Sequence, residues 1–113
     1  MWNQPTENQL RQLPRPYTTE DVSWKDKMIY MHFFLGECDW YLAEYDEPRR
    51  TFFGYAILND DLANAEWGYV SLDELREVGT RHGFEIDRDL HWTPRKASEI
   101  EKIVRAYEHQ GLS

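Results

Sequence analysis

The sequence predicts an α+β domain: an antiparallel sheet of four to five strands, a short N-terminal helix, and two helices in the C-terminal half. Three observations carry this. Four runs rich in aromatic and apolar residues follow one another between residues 28 and 71, separated by short polar turns, which is the pattern of a meander. Helical signals are confined to the two ends, so a βαβ repeat is excluded. Five Trp, seven Tyr and five Phe bury large areas although mean hydropathy is −0.81, so the chain is expected to fold. Its 113 residues suit one domain over 1–113, with an N-terminal helix and loop (1–27), a strand meander (28–71) and a helix–strand–helix segment (72–113).

Thr6-Glu7-Asn8-Gln9 has capping-box spacing, with Leu10 and Leu13 behind it, and predicts the opening helix. Pro14 and Pro16 stop that helix, and "LPRPYTTED" reads as an ordered loop anchored by Tyr17. The strands expected next are "MIYMHFFL" (28–35), "DWYLAEYD" (39–46), "TFFGYAIL" (51–58) and "EWGYVS" (66–71). Gly54 inside the third marks a bulge or a close approach by another segment. In the first strand Met28, Tyr30, His32 and Phe34 form a second apolar set, and the N-terminal helix and LPRPY loop are expected to cover it.

Ser71 and Glu74 form a second capping box, opening a helix with Leu72, Leu75 and Val78 on one side and Gly79 or Gly83 at its end. "EIDRDLHW" alternates without a break. Ile86, Leu90 and Trp92 are expected on the buried side of a fifth strand, and Glu85, Asp87, Asp89 and His91 on the wet side. Arg88 intrudes on the buried side and predicts a carboxylate partner. The last helix is expected from Ser98, capped with Glu101, with Ile100, Ile103, Val104 and Tyr107 as its apolar face and Gly111 as its stop.

Composition narrows function mainly by exclusion. Cys38 is the single cysteine, so no intrachain disulfide and no CxxC zinc site exists. No phosphate-binding glycine loop and no nucleophile elbow is present, and no cofactor is expected. The polar start lacks the plan of a secretory signal and no run approaches a membrane span, so a cytoplasmic protein is expected. Residues 37–78 hold eleven acidic and three basic side chains, whereas the flanking segments are balanced; the net charge of −8 therefore sits in the middle. Direct nucleic-acid binding is disfavoured; the simpler reading of the acidic middle is a solvated, solubility-giving surface, and the partner that would suit the charge is a basic or DNA-binding host protein. Asp60, Asp61, Glu66, Asp73, Glu74 and Glu77 are the partner-binding candidates. Oligomeric state is not legible in the sequence.

"LPRPYTTED", "WYLAEYD", "FFGYAIL", "WGYVSLDEL" and "IDRDLHWTP", in this order, resemble the small bacterial family catalogued as domain of unknown function 2958, over about residues 10–103. The resemblance implies carriage on plasmids, integrative elements and phages, often near antirestriction genes; it supplies no catalytic or ligand residue. Glu often stands in that family where this chain has Asp87.

The expected function is a non-enzymatic interaction protein of a mobile element, modulating or countering a host factor or defence system. The alternative is a small metal-dependent or acid–base enzyme using Asp89 and His91 with Glu44 or Asp46, in which Glu44, Asp46 and Asp89 are the metal-ligand candidates. Strand spacing weighs against it, because side chains two residues apart are roughly 7 Å from one another and four in a row cannot share one ion.

Overall fold

The alternating runs form one antiparallel sheet in the computed structural model, which describes residues 2–81 and 84–112. Strands β2 (Met31–Leu35), β3 (Cys38–Asp46), β4 (Thr51–Ile57), β5 (Glu66–Ser71) and β6 (Asp87–Arg88) lie in the order β5-β4-β3-β2-β6. A separate two-stranded ladder pairs β1 (Met28–Ile29) with β7 (Arg95–Lys96). The helices are α1 (Glu7–Leu10), α2 (Leu72–Arg81) and α3 (Glu101–His109).

Both faces of the sheet are covered, which explains why β3 is buried from Asp39 to Tyr45. On one face Met31, Phe33, Trp40, Leu42, Tyr45 and Phe52 pack against Leu10, Leu13, Leu72, Leu75 and Ile86. On the other, Tyr41, Ala43, Tyr55 and Ile57 pack against Ile100, Ile103 and Ala106. Each fully covered Leu, Ile or Phe contributes about 1.5–3 kcal/mol.

Gly54 answers to both meanings assigned to it. A Cβ there would lie 2.3 Å from the Tyr41 carbonyl oxygen, and across from it the β3–β4 register slips between Leu42 and Glu44. The bulge inserts Ala43 as an extra residue. Alternation alone would put Glu44 on the α2 face. The inserted residue turns it to the α3 face, opposite Phe53, and sends Tyr45 to the α2 core beside Phe52. This slip creates the site described below.

Several expectations are corrected. The 28–35 strand breaks at Tyr30, because Ile29 enters the α3 core while Met31 enters the α2 core. Leu10 and Leu13 join the cluster of Met31 and Phe33, against which only Tyr30 of the second set packs, and His32 is instead covered by Tyr41 and Trp92. Tyr17 is no apolar anchor; it is 58% exposed. The fifth strand lasts two residues. The Asp89 carboxylate accepts the His91 N–H at 3.0 Å and turns the chain, leaving Leu90 exposed and bringing the Trp92 indole N–H to the Ile29 carbonyl. Arg88 Nε donates to the Asn3 carbonyl at 2.9 Å, not to a carboxylate.

The Thr6–Gln9 and Ser71–Glu74 boxes form as predicted. Helix α2 runs through Gly79 to Arg81, and Gly83 lies outside the described residues. The third box does not form: the Ser98 hydroxyl donates to the Lys25 carbonyl, and α3 begins at Glu101. Gly111, at φ 72°, ends α3 with Leu112 N–H on the Tyr107 carbonyl.

Candidate functional site

Beyond the end of α3 the same sheet face continues without helical cover. The register places Glu44, Phe53 and Tyr69 side by side across β3, β4 and β5. The loop of residues 15–24 crosses above them, with Tyr17 in the left-handed region at φ 67°. Between loop and sheet lie two adjoining cavities of about 250 and 370 Å³ that share Tyr17, Glu44, Phe53 and Tyr69. Asp46 and Arg49 line the first, and Lys27, Trp67 and Tyr107 the second.

The groove floor holds two buried ions. Glu44 is 4% exposed and Lys27 7%. Glu44 Oε1 accepts from the Tyr17 N–H at 2.9 Å, and Oε2 accepts from the Thr19 N–H at 3.2 Å and from the Thr19 hydroxyl. Lys27 Nζ donates to the Thr19 carbonyl at 2.6 Å and to its hydroxyl at 3.0 Å. Thr19 therefore joins the two charges and ties the loop to the sheet. Lys27 Nζ also lies 5.7 and 5.8 Å from the ring centroids of Phe53 and Trp67, a cation–π setting worth about 2 kcal/mol when desolvated. Trp67 donates its indole N–H to the Tyr107 hydroxyl at 2.7 Å, and Tyr107 stacks on Trp24, closing the α3 end. At the other end Asp46 Oδ2 is 3.5 Å from a guanidinium nitrogen of Arg49.

The sequence-predicted enzyme residues separate. Glu44 and Asp46 line the groove, whereas Asp89 and His91 line a different depression with His32, Asp39 and Arg88. There His32 is the centre: Nε2 is 2.7 Å from Asp39 Oδ1, Nδ1 is 3.9 Å from Asp89 Oδ2, and the ring stacks on Tyr41. Lys102 bonds Asp39 and reaches Asp60 at 2.7 Å. Burial raises the Asp39 carboxyl, but His32 and Lys102 more than offset it and hold it below the usual range. Burial and the Asp39 charge push the Tyr41 hydroxyl well up. Among the described residues no three His, Cys, Asp or Glu side chains gather closely enough to hold a metal ion.

The acidic candidates bracket β5, an edge strand. Asp60, Asp61 and Glu66 stand at its start, and Asp73, Glu74 and Glu77 follow its end. Four are engaged within the fold: Asp60 with Lys102, Asp61 with Asn64, Asp73 with Arg50, and Glu74 in its cap. Sequence reasoning missed the groove's aromatics and Lys27. A faint signal existed in Phe53 and Tyr55, and in Trp67 and Tyr69, which put two aromatic rows on one parity.

The chain matches the model of the family described as "Protein of unknown function (DUF2958)" over residues 6–111. No curated protein and no solved structure matches it.

Proposed function

The chain belongs to the DUF2958 family, whose function is unknown, and from that premise we propose a non-enzymatic interaction protein that takes a basic segment of a partner protein in the groove between Tyr17, Phe53 and Tyr69. The observation that carries it is an aromatic surface left open beside a buried carboxylate: Tyr69 is 61% exposed and lines the same cavity as Glu44. Tyr17, also largely exposed, shares this cavity with Tyr69, and contiguous exposed aromatics are a feature of interaction sites. Beside Tyr69, β5 is hydrogen-bonded to β4 alone among the described residues, so its outer backbone is free to accept an extended segment. The surplus of negative charge around β5 favours a basic one.

That the partner is a host factor or a DNA-binding host protein, met in the cytoplasm by the product of a mobile element, rests on the family resemblance and on charge. No helix among the described residues is long and apolar enough to cross a membrane. Capture from host lysate at low and moderate salt, by the native protein and by Tyr69→Ala in parallel, tests the reading. A partner retained by the first and lost from the second supports it; equal retention, or none, overturns it.

Acid–base catalysis at Asp89 and His91 is the second reading, and His32 favours it, held by Asp39 at the depression these residues line. A fragment screen by NMR in which no ligand moves the signals of His91 and His32 at this depression would remove it.

A further inference from the structure

Resting on the groove reading, we infer that the inner cavity lined by Tyr17, Glu44, Asp46, Phe53 and Tyr69 is a pocket for the guanidinium of a partner's arginine. Its volume, about 250 Å³, suits one side chain rather than a larger ligand. The Phe53 and Tyr69 rings meet at 58° with centroids 5.1 Å apart. They form a corner, so a flat aromatic ligand cannot be sandwiched between them, while a cation can lie on one ring face and touch the other.

The polar groups point to the same class. A carboxylate offers about four acceptor sites, and Glu44 uses three of them on Tyr17 and Thr19. Those bonds leave one acceptor site over. Asp46 adds a second carboxylate at the wall. Glu20, Glu44 and Asp46 outnumber Lys27 and Arg49 around the two cavities, which disfavours an anion.

The protein also supplies an internal likeness of the ligand. Arg49, 77% exposed, lies at this cavity with its guanidinium beside Asp46 Oδ2. The arginine of this pair lies largely in water, where ion pairs are weak, so an incoming arginine can displace it. Lys27 in the adjoining cavity shows that Phe53 and Trp67 tolerate a cation against their rings. Arginine is favoured over lysine because its planar, weakly hydrated guanidinium both stacks on a ring and donates to a carboxylate.

The experiment is an NMR titration with blocked single residues: N-acetyl-arginine amide, its lysine counterpart, and the neutral isostere N-acetyl-citrulline amide. The expected result is millimolar arginine binding that moves the Tyr69 and Phe53 signals, about threefold or more weaker lysine binding, and no citrulline binding. Tyr69→Ala, at an exposed position, should weaken arginine binding about two- to fivefold. Arg49→Ala should strengthen it, since the internal competitor is gone. Citrulline binding as well as arginine, or arginine leaving these signals unmoved, overturns the pocket. If Tyr69→Ala loses a captured partner while blocked arginine fails to bind, the arginine assignment falls and the groove reading stands. A dimer of the native protein that Tyr69→Ala dissolves would overturn it too, because a second copy would then fill the groove.

Discussion

One sheet face has two fates. Under α3, Tyr55, Ile57, Ile103 and Ala106 are sealed together, and the charges at the rim meet directly as Asp39, Lys102 and Asp60. Beyond α3, Phe53 and Tyr69 stay open, and Lys27 and Glu44 are joined through Thr19 of a crossing loop. Length explains the division. The nine residues of α3 reach about 13 Å, whereas the nine of β3 span about 30 Å. The helix cannot cover the strand it packs on. Where cover runs out, the chain places aromatic rings and buried ions instead of small polar residues.

The strongest way to break the contrast is Gly54→Val. Its Cβ would collide with the Tyr41 carbonyl and the Leu42 backbone, abolishing the bulge that turns Glu44 into the groove. The expected loss exceeds about 4 kcal/mol or prevents folding, as chemical denaturation would show. A variant of near-native stability would refute the account of the bulge.

Ile103→Ala and Tyr69→Ala compare the two ends directly. Removing Ile103, fully buried under α3, should cost about 2–5 kcal/mol. Removing Tyr69 should cost less than about 1 kcal/mol while weakening partner binding. Equal costs would mean that the groove is core rather than surface.

Asp39→Asn probes the directly paired rim. Loss of the charge beside Lys102 and His32 should cost about 2–4 kcal/mol near neutral pH. The folded-state pKa of Asp39 is depressed, so its contribution is present above the ordinary carboxylate range and is lost as pH falls through the folded value. The variant should therefore show a flatter acid limb in its stability profile. An unchanged limb would place the acid dependence elsewhere.

The smallest expected effect belongs to the double change Asp60→Asn and Asp61→Asn. Both side chains are exposed, and stability should fall by less than about 1 kcal/mol. If the acidic flank steers a basic partner, association slows and its salt dependence flattens, with dissociation little altered. An unchanged association rate would reduce these residues to solubilising decoration.

Local chemistry was legible where it is read locally. The capping boxes at Thr6 and Ser71, the turns, the meander and the α3 stripe of Ile100 and Ile103 all rest on neighbours within a few positions. The Ser98 box failed because Lys25, seventy-three residues away in sequence, takes its hydroxyl. Leu90 and Trp92 changed roles because one Asx turn at Asp89 ended the alternation.

The candidate site shows the same boundary more sharply. By itself the sequence determined the fold class, the acidic middle and the set of aromatics available, since composition and short-range periodicity are properties of the chain. Tertiary structure decided which of them meet. A single inserted residue at Ala43 reverses which face Glu44 occupies, and a period-two pattern carries no trace of where it slips. The pairing of Lys27 with Thr19, of His32 with Asp39, and the end of α3 short of Phe53 and Tyr69 all depend on how separate segments pack, and that is why the groove was invisible until they did.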